Sequence, residues 1–202
     1  MHLFKVEKMI DTDEASSTND YSTSGRSSFN TNDNSLIEKM NSILESLIEE
    51  NKNLENYKEN MKLQKKSIFF STEIPEISVL DYLYRIQNFS DAEDNTFILA
   101  LIYIDKICET ASIVLSEHNI HRILFMSVLT AIKYNEDLYY DNEYYAKIAG
   151  ISTKELRKME LEYLKLIKFE LYVNKSKFDK YKNYINEIKD TNKVKNKILN
   201  LN

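Results

Sequence analysis

Glycine occurs only twice in the 202 residues, at Gly25 and Gly150, and proline once, at Pro75. Glycine-rich phosphate loops, dinucleotide fingerprints and nucleophile elbows all need backbone conformations that glycine supplies, so none can be written here. Tight hairpin turns lean on the same residue. An all-α chain follows. The single cysteine, Cys108, excludes an internal disulfide and fits a reducing compartment. Three scattered histidines, His2, His118 and His121, do not make a histidine-rich metal site, and no catalytic residue, cofactor or metal is called for. Apolar runs are short, and residues 1–10 lack a signal-peptide core. The expected location is therefore intracellular, in the cytoplasm, the nucleus or both, with no membrane partner.

What is present is organised in blocks. Residues 11–35 are mostly Ser, Thr, Asn and Asp, too poor in aliphatic side chains to offset ordering entropy, so a disordered tail is expected over 1–35. A single domain is expected over 36–190. It opens with a helix at 36–50, where Leu36, Ile37, Met40, Ile43, Leu44, Leu47 and Ile48 follow helical spacing behind Ser35. Residues 51–72 read as a polar, Lys-rich linker with Ile68, Phe69 and Phe70 as its hydrophobic anchor. Pro75 opens the next helix, with Ile77, Leu80, Leu83, Tyr84 and Ile86 as its stripe. Ser90 and Glu93 have the spacing of a capping box ahead of a helix over 97–115, apolar on most sides and hence central.

A second apolar helix spans 120–134, with Ser127 and Ala131 allowing close approach of a neighbour. A short tyrosine-rich helix over 142–149 ends at Gly150, placed as a left-handed terminator. Ser152 and Glu155 form a second capping box before a helix burying Leu156, Met159, Tyr163, Leu164 and Ile167. Phe178, Tyr181, Ile185 and Ile188 mark a short last helix capped by Ser176, followed by a basic, frayed tail over 191–202.

Three charges break these patterns. Glu160 falls on or beside the apolar stripe of its helix, Lys133 ends the 120–134 helix, and Asp105 interrupts the apolar run from Ile102 to Ile107. Each is costly unless paired or at a margin. Structural explanations are available: a solvent-edge carboxylate, a snorkelling lysine, and an Asp105–Arg122 ion pair. No catalytic set competes. Glu49 with Glu50 and Glu136 with Asp137 lack an accompanying general base, and His121-Arg122 is followed by isoleucine, so the kinase H-R-D signature is absent. His118 and His121 read as capping or surface residues.

Several blocks in order carry a family resemblance: YIDKI at 103–107, NIHR at 119–122, AIK at 131–133, DNEYYAKIAGI at 141–151, EL at 155–156, ME at 159–160 and FEL at 169–171. Together, over roughly 36–188, the chain resembles the P-type (also called U-type) cyclins. The resemblance implies a cyclin box, a bundle of about five helices wrapped round a central one, with an additional N-terminal helix and a short C-terminal helix. It also implies a non-catalytic regulatory subunit that binds and activates a cyclin-dependent protein kinase by positioning its C-helix. Lys133 and Glu160 fall on the two charged kinase-binding positions. Asp137 matches an acidic position that contacts basic residues of the kinase activation segment. Asp105 fits an internal carboxylate, with Arg122 as its partner. The chain departs from mitotic-type cyclins in having Pro75, Glu76 and Ser78 where a substrate-docking patch would start, and too few residues follow Ile188 for a second cyclin fold. A cyclin-fold adaptor without kinase activation, or a transcription-related factor using the lysines after Asn174, stays open as an alternative. The net charge of −5 weighs against nucleic-acid binding.

Overall fold

The computed structural model describes residues 36–188; the expected tails at 1–35 and 191–202 lie outside them. Among the described residues there are eight helices and no strand: α1 (Leu36–Lys52), α2 (Tyr57–Gln64), α3 (Val79–Ser90), α4 (Asp94–Thr110), α5 (Ile120–Asn135), α6 (Asn142–Ala149), α7 (Thr153–Leu166) and α8 (Lys175–Glu187). Helices α3 to α7 form a five-helix bundle, and α1 and α8 pack on it and on each other.

Helix α4 is apolar enough to be buried all round, and from Thr96 to Ile107 only Lys106 is not buried. Yet the hub is α5, which touches α3, α4, α6 and α7. The reason is side-chain size. Ser127, Thr130 and Ala131 keep α5 slim, and Ser127 is held by Tyr163 of α7 at 2.7 Å while donating to the Ile123 carbonyl at 2.7 Å. Two buried tyrosine hydroxyls are anchored across the fold: Tyr103 donates to the Leu171 carbonyl at 2.7 Å, and Tyr181 of α8 to Asp105 at 2.6 Å.

Two of the anticipated caps form. Ser152 accepts from the Glu155 N–H, and Gly150 closes α6 at φ +72°. Asp141 adds another, accepting from the Tyr144 N–H. Two others do not. The last helix is capped not by Ser176 but by Asn174, whose side chain accepts from the Lys177 N–H. Ser90 ends α3 instead of capping α4, because Asp91 turns left-handed (φ +53°) directly after it. The N-terminus of α4 is satisfied from afar: Glu136, one residue beyond α5, accepts from the Glu93 N–H at 3.2 Å and the Thr96 hydroxyl at 2.6 Å. This contact also shows that α4 and α5 run antiparallel.

The 51–72 linker contains α2, which buries none of its residues and so left no apolar stripe to read. Beyond it the chain is strapped across the start of α5. Phe69 is buried and meets Tyr163 edge to face at 6.2 Å, while Phe70 stacks on His118 at 4.8 Å. His118 Nδ1 donates to the Ser71 carbonyl at 2.9 Å, and the Ser71 N–H returns to the His118 carbonyl at 2.7 Å. Arg122 reaches the Ser71 hydroxyl and the Ile68 carbonyl, and His121 Nε2 donates to the Ile77 carbonyl at 2.9 Å. Both histidines are thus staples for the strap, not caps or free surface groups.

The end of α7 is tight. Lys168 and Phe169 are both left-handed (φ +58° and +55°) although neither is glycine, a cost of roughly 1–2 kcal/mol each. Helix α4 holds that turn: Thr110 donates to the Leu166 carbonyl, and Lys106 reaches the Glu170 carbonyl at 2.7 Å and its carboxylate at 2.9 Å.

Glu136→Ala, by stripping the start of α4, should destabilise the fold by about 1–2 kcal/mol. An unchanged melting temperature would contradict that remote capping role. With Nε2 donating, the buried Nδ1 of His121 has no partner, and burial holds this imidazole below its ordinary value of 6.5. The unfolded chain then takes up the proton first, so this contribution is full above about pH 6.5 and is lost as pH falls through 6.5 toward the lower folded value. The drop in melting temperature from pH 7 to pH 5 should be smaller in His121→Gln, which keeps a donor for Ile77; equal drops would refute it.

Candidate partner-binding site

The last turn of α5, the first turn of α6 and the middle of α7 converge on one polar cluster. Lys133 sits in the last turn of α5, where exposed carbonyls favour a cation. Its ammonium donates to Glu160 at 2.5 Å and to the Asn142 carbonyl oxygen at 2.5 Å. The Asn142 amide donates to the other Glu160 oxygen at 3.1 Å. Asn142 thus touches both charges and fixes their relative orientation.

Glu160 is placed by α7, which turns Leu156, Met159 and Tyr163 inward and leaves position 160 at the edge of that buried face. The side chains of Lys133 and Glu160 are only 22% and 21% exposed. The two pattern-breaking charges therefore lie together, at the rim of the core. Their chain neighbours are large exposed apolar groups: Tyr134 and Leu161 flank them, and Leu138 follows at 87% exposure. A partly exposed ion pair with exposed apolar residues next to it in the chain suits a protein partner, since apolar surface favours association while fixed charges set register.

Asp137 lies in the segment between α5 and α6, exposed and in no ion pair among the described residues. That segment is braced from both ends. Tyr140 donates its hydroxyl to Asp91 and its N–H to the Tyr145 oxygen at 3.3 Å, and its ring lies 4.2 Å from that of Tyr144. Burial pushes the Tyr145 hydroxyl up to about 12, so it stays neutral there. Among the described residues no group of three or more His, Cys, Asp or Glu could hold a metal ion, and no helix is long and apolar enough to cross a membrane.

One anticipated pair is corrected. Arg122 does not bind Asp105; its guanidinium meets Glu155 at 2.7 Å, and Asp105 accepts from Tyr181. Arg122 faces the strap and α7, whereas Asp105 faces α8, so the two sit on divergent faces of adjacent helices. Asn142 and Glu136 went unassigned in the sequence. An asparagine at a helix start reads as local capping chemistry, and only the approach of α5 and α7 shows what Asn142 holds.

Comparison with known proteins adds an independent line. A family model described as Cyclin matches residues 14–171. Cyclin-U2-2 of Arabidopsis thaliana is 42% identical over 118 residues, 58% of this chain and 51% of that protein. Cyclin-U4-1 of the same plant is 38% identical over 123 residues, 60% of this chain and 61% of its own length. PHO85 cyclin-7 of Saccharomyces cerevisiae is 35% identical over 129 residues, 58% of this chain and 45% of the yeast protein. The chain spans about half the length of the curated relatives it matches.

The cluster should behave as a coupled unit in folding. Lys133→Ala and Glu160→Ala should each destabilise, and the double variant should lose less than their sum, with a coupling of about 1 kcal/mol. Additive losses in a denaturant-unfolding cycle would show that the pair contributes nothing jointly.

Proposed function

This chain belongs to the cyclin family, in its P- and U-type branch, and from that premise we propose that it is the regulatory subunit of a cyclin-dependent protein kinase. It contributes no chemistry of its own. It binds the kinase and holds the kinase's C-helix where its glutamate pairs with the ATP-site lysine, an arrangement phosphoryl transfer requires. The naming of the yeast relative as a PHO85 cyclin supports a kinase partner in general.

The observation that carries this reading is the half-buried Lys133–Asn142–Glu160 cluster, whose charged members have exposed Tyr134 and Leu161 as chain neighbours. An ammonium has three donors, and two are occupied here, leaving one for a backbone carbonyl of an incoming helix. Each Glu160 oxygen accepts one bond within the chain and keeps lone-pair capacity for an incoming N–H. The pair therefore presents one donor and further acceptor sites at fixed spacing. Such an array reads backbone groups at a helix end, while Tyr134, Leu138 and Leu161 supply the apolar contact. Asp137, four residues beyond Lys133 and exposed, is assigned to basic residues of the kinase activation segment.

The test is co-elution and stimulation of phosphorylation when the chain is mixed with cyclin-dependent kinases of its own source. Truncating Lys133 or Glu160 to alanine should weaken binding by about 2–5 kcal/mol, roughly 30- to 5,000-fold in Kd, with the fold retained by circular dichroism. In the same assay Asp137→Asn should lower activity most with a kinase lacking its activation-segment phosphate. Kinase association and activity unaltered in the Lys133→Ala/Glu160→Ala double variant would refute the assigned contact.

A further inference from the structure

A groove of about 400 Å³ runs between the strap and the outer flank of α7. Lys66, Ser67 and Ile68 form its strap wall, and Lys158, Leu161 and Glu162 its helix wall. Both walls are fixed. Arg122 donates to the Ile68 carbonyl at 3.0 Å and meets Glu155 of α7 at 2.7 Å, so one guanidinium ties strap to helix, and Phe69 sets its ring edge to face against Tyr163. A groove already held in shape spares an incoming segment the cost of ordering it.

The groove is no part of the Lys133–Asn142–Glu160 cluster. An α-helix turns about 100° per residue, so Lys158 and Glu162, to either side of Glu160 in the chain, stand roughly 160° away from it around α7. Glu160 faces the end of α5 and the start of α6, whereas the groove faces the strap. Leu161, 52% exposed, lies on the crest between them. A protein seated on the cluster leaves the groove open to another.

Charge selects the occupant. In a chain of net charge −5, Lys52, Lys106, Arg122, Lys133, Lys147 and Lys165 each meet a carboxylate. Lys66 and Lys158 are exposed and meet none among the described residues, and the same holds for Lys65 and Arg157, their chain neighbours. Glu162, the acid in the lining, lies 3.8 Å from Lys165. Two ammoniums above Ile68 and their own aliphatic stems fit an apolar side chain flanked by carboxylates.

We propose that this groove docks an acidic segment of a substrate of the partner kinase, an apolar side chain packing on Ile68 while neighbouring Asp or Glu residues meet Lys66 and Lys158. The assignment rests on the regulatory role proposed for the chain. One edge of α7 holds the kinase and the other holds the substrate, which raises the substrate's effective concentration at the kinase without touching the reacting groups. A volume near 400 Å³ is at the small end of ligand pockets, about 300–1,000 Å³, and takes a few side chains of an extended segment rather than a whole helix.

The chain alone should bind the labelled peptide DELEFDE and not its basic counterpart KRLKFKR, and Lys66→Glu/Lys158→Glu should weaken that binding by about tenfold. In the assembled kinase complex, joining DELEFDE through a flexible Gly/Ser linker to a generic substrate should lower its KM by about tenfold at unchanged kcat. The double variant should lose that gain, with kinase affinity and turnover of the unextended substrate unchanged. Peptide binding indifferent to the charge reversal overturns the proposal. So does a loss of kinase affinity in the double variant, which assigns the groove to the kinase, or peptide binding that fades as protein concentration rises, which assigns it to a second copy. A stimulated kinase indifferent to the extension overturns the groove and leaves the regulatory role standing. A chain that stimulates no kinase removes that role, and the substrate as occupant with it.

Discussion

A helix that is apolar on every side must be covered on every side. Helix α4 imposes this requirement, because burying each of its Phe, Ile and Leu side chains is worth about 1.5–3 kcal/mol and exposing any face forfeits that gain. Helix α5 covers one flank and α8 another, and the turn after Leu166 is drawn onto α4 by Tyr103, Lys106 and Thr110. The polar groups dragged inside with it each need a partner from elsewhere in the chain. Tyr181 serves Asp105, the Leu171 carbonyl serves Tyr103, and Glu136 serves Thr96. The C-terminal helix α8 is accordingly part of the core by virtue of Tyr181 and Ile185, in spite of its lysine-rich outer face.

With two apolar helices occupying the centre, charge is displaced to helix ends and to the margins of buried faces. Lys133 ends α5, Asn142 starts α6, and Glu160 borders the buried face of α7. These three positions meet because α5 is the helix all its neighbours share. The resulting cluster is half-buried and fixed by three hydrogen bonds, and exposed Tyr134 and Leu161 adjoin its two charges in the chain. Burial holds the charges still, and partial exposure keeps both within reach of solvent. The chain that carries this surface belongs to the cyclin family, and U-type cyclins and a PHO85 cyclin are among its relatives.

Elements written in local signals were legible. Helix α6 is bracketed by Asp141 and Gly150, and Ser152 caps α7, all within four residues of what they cap. The stripes of α4 and α5 were equally plain, as was Phe69 as the anchor of the linker, although α4 ends at Thr110, short of the 115 that its stripe suggested. Helix α2 was not, since a helix that buries nothing carries no stripe. Ser90 misled because its spacing to Glu93 is that of a capping box, whereas Asp91 bends the chain and leaves Glu136 to do the capping. The Asp105–Arg122 pair failed because opposite charges on consecutive apolar helices meet only if their faces do; here one faces α8 and the other the strap.

By itself the sequence determined the all-helical class, the order of the main helices and the family, because hydrophobic period, capping residues and scarce glycine act over a few residues at a time. It also marked Lys133 and Glu160 as charges out of place. Only tertiary structure decided that these two face each other across Asn142, that Arg122 belongs to Glu155, and that two histidines fasten the strap. Such contacts join residues 9 to 54 apart, and their formation depends on which helix faces three-dimensional packing brings together.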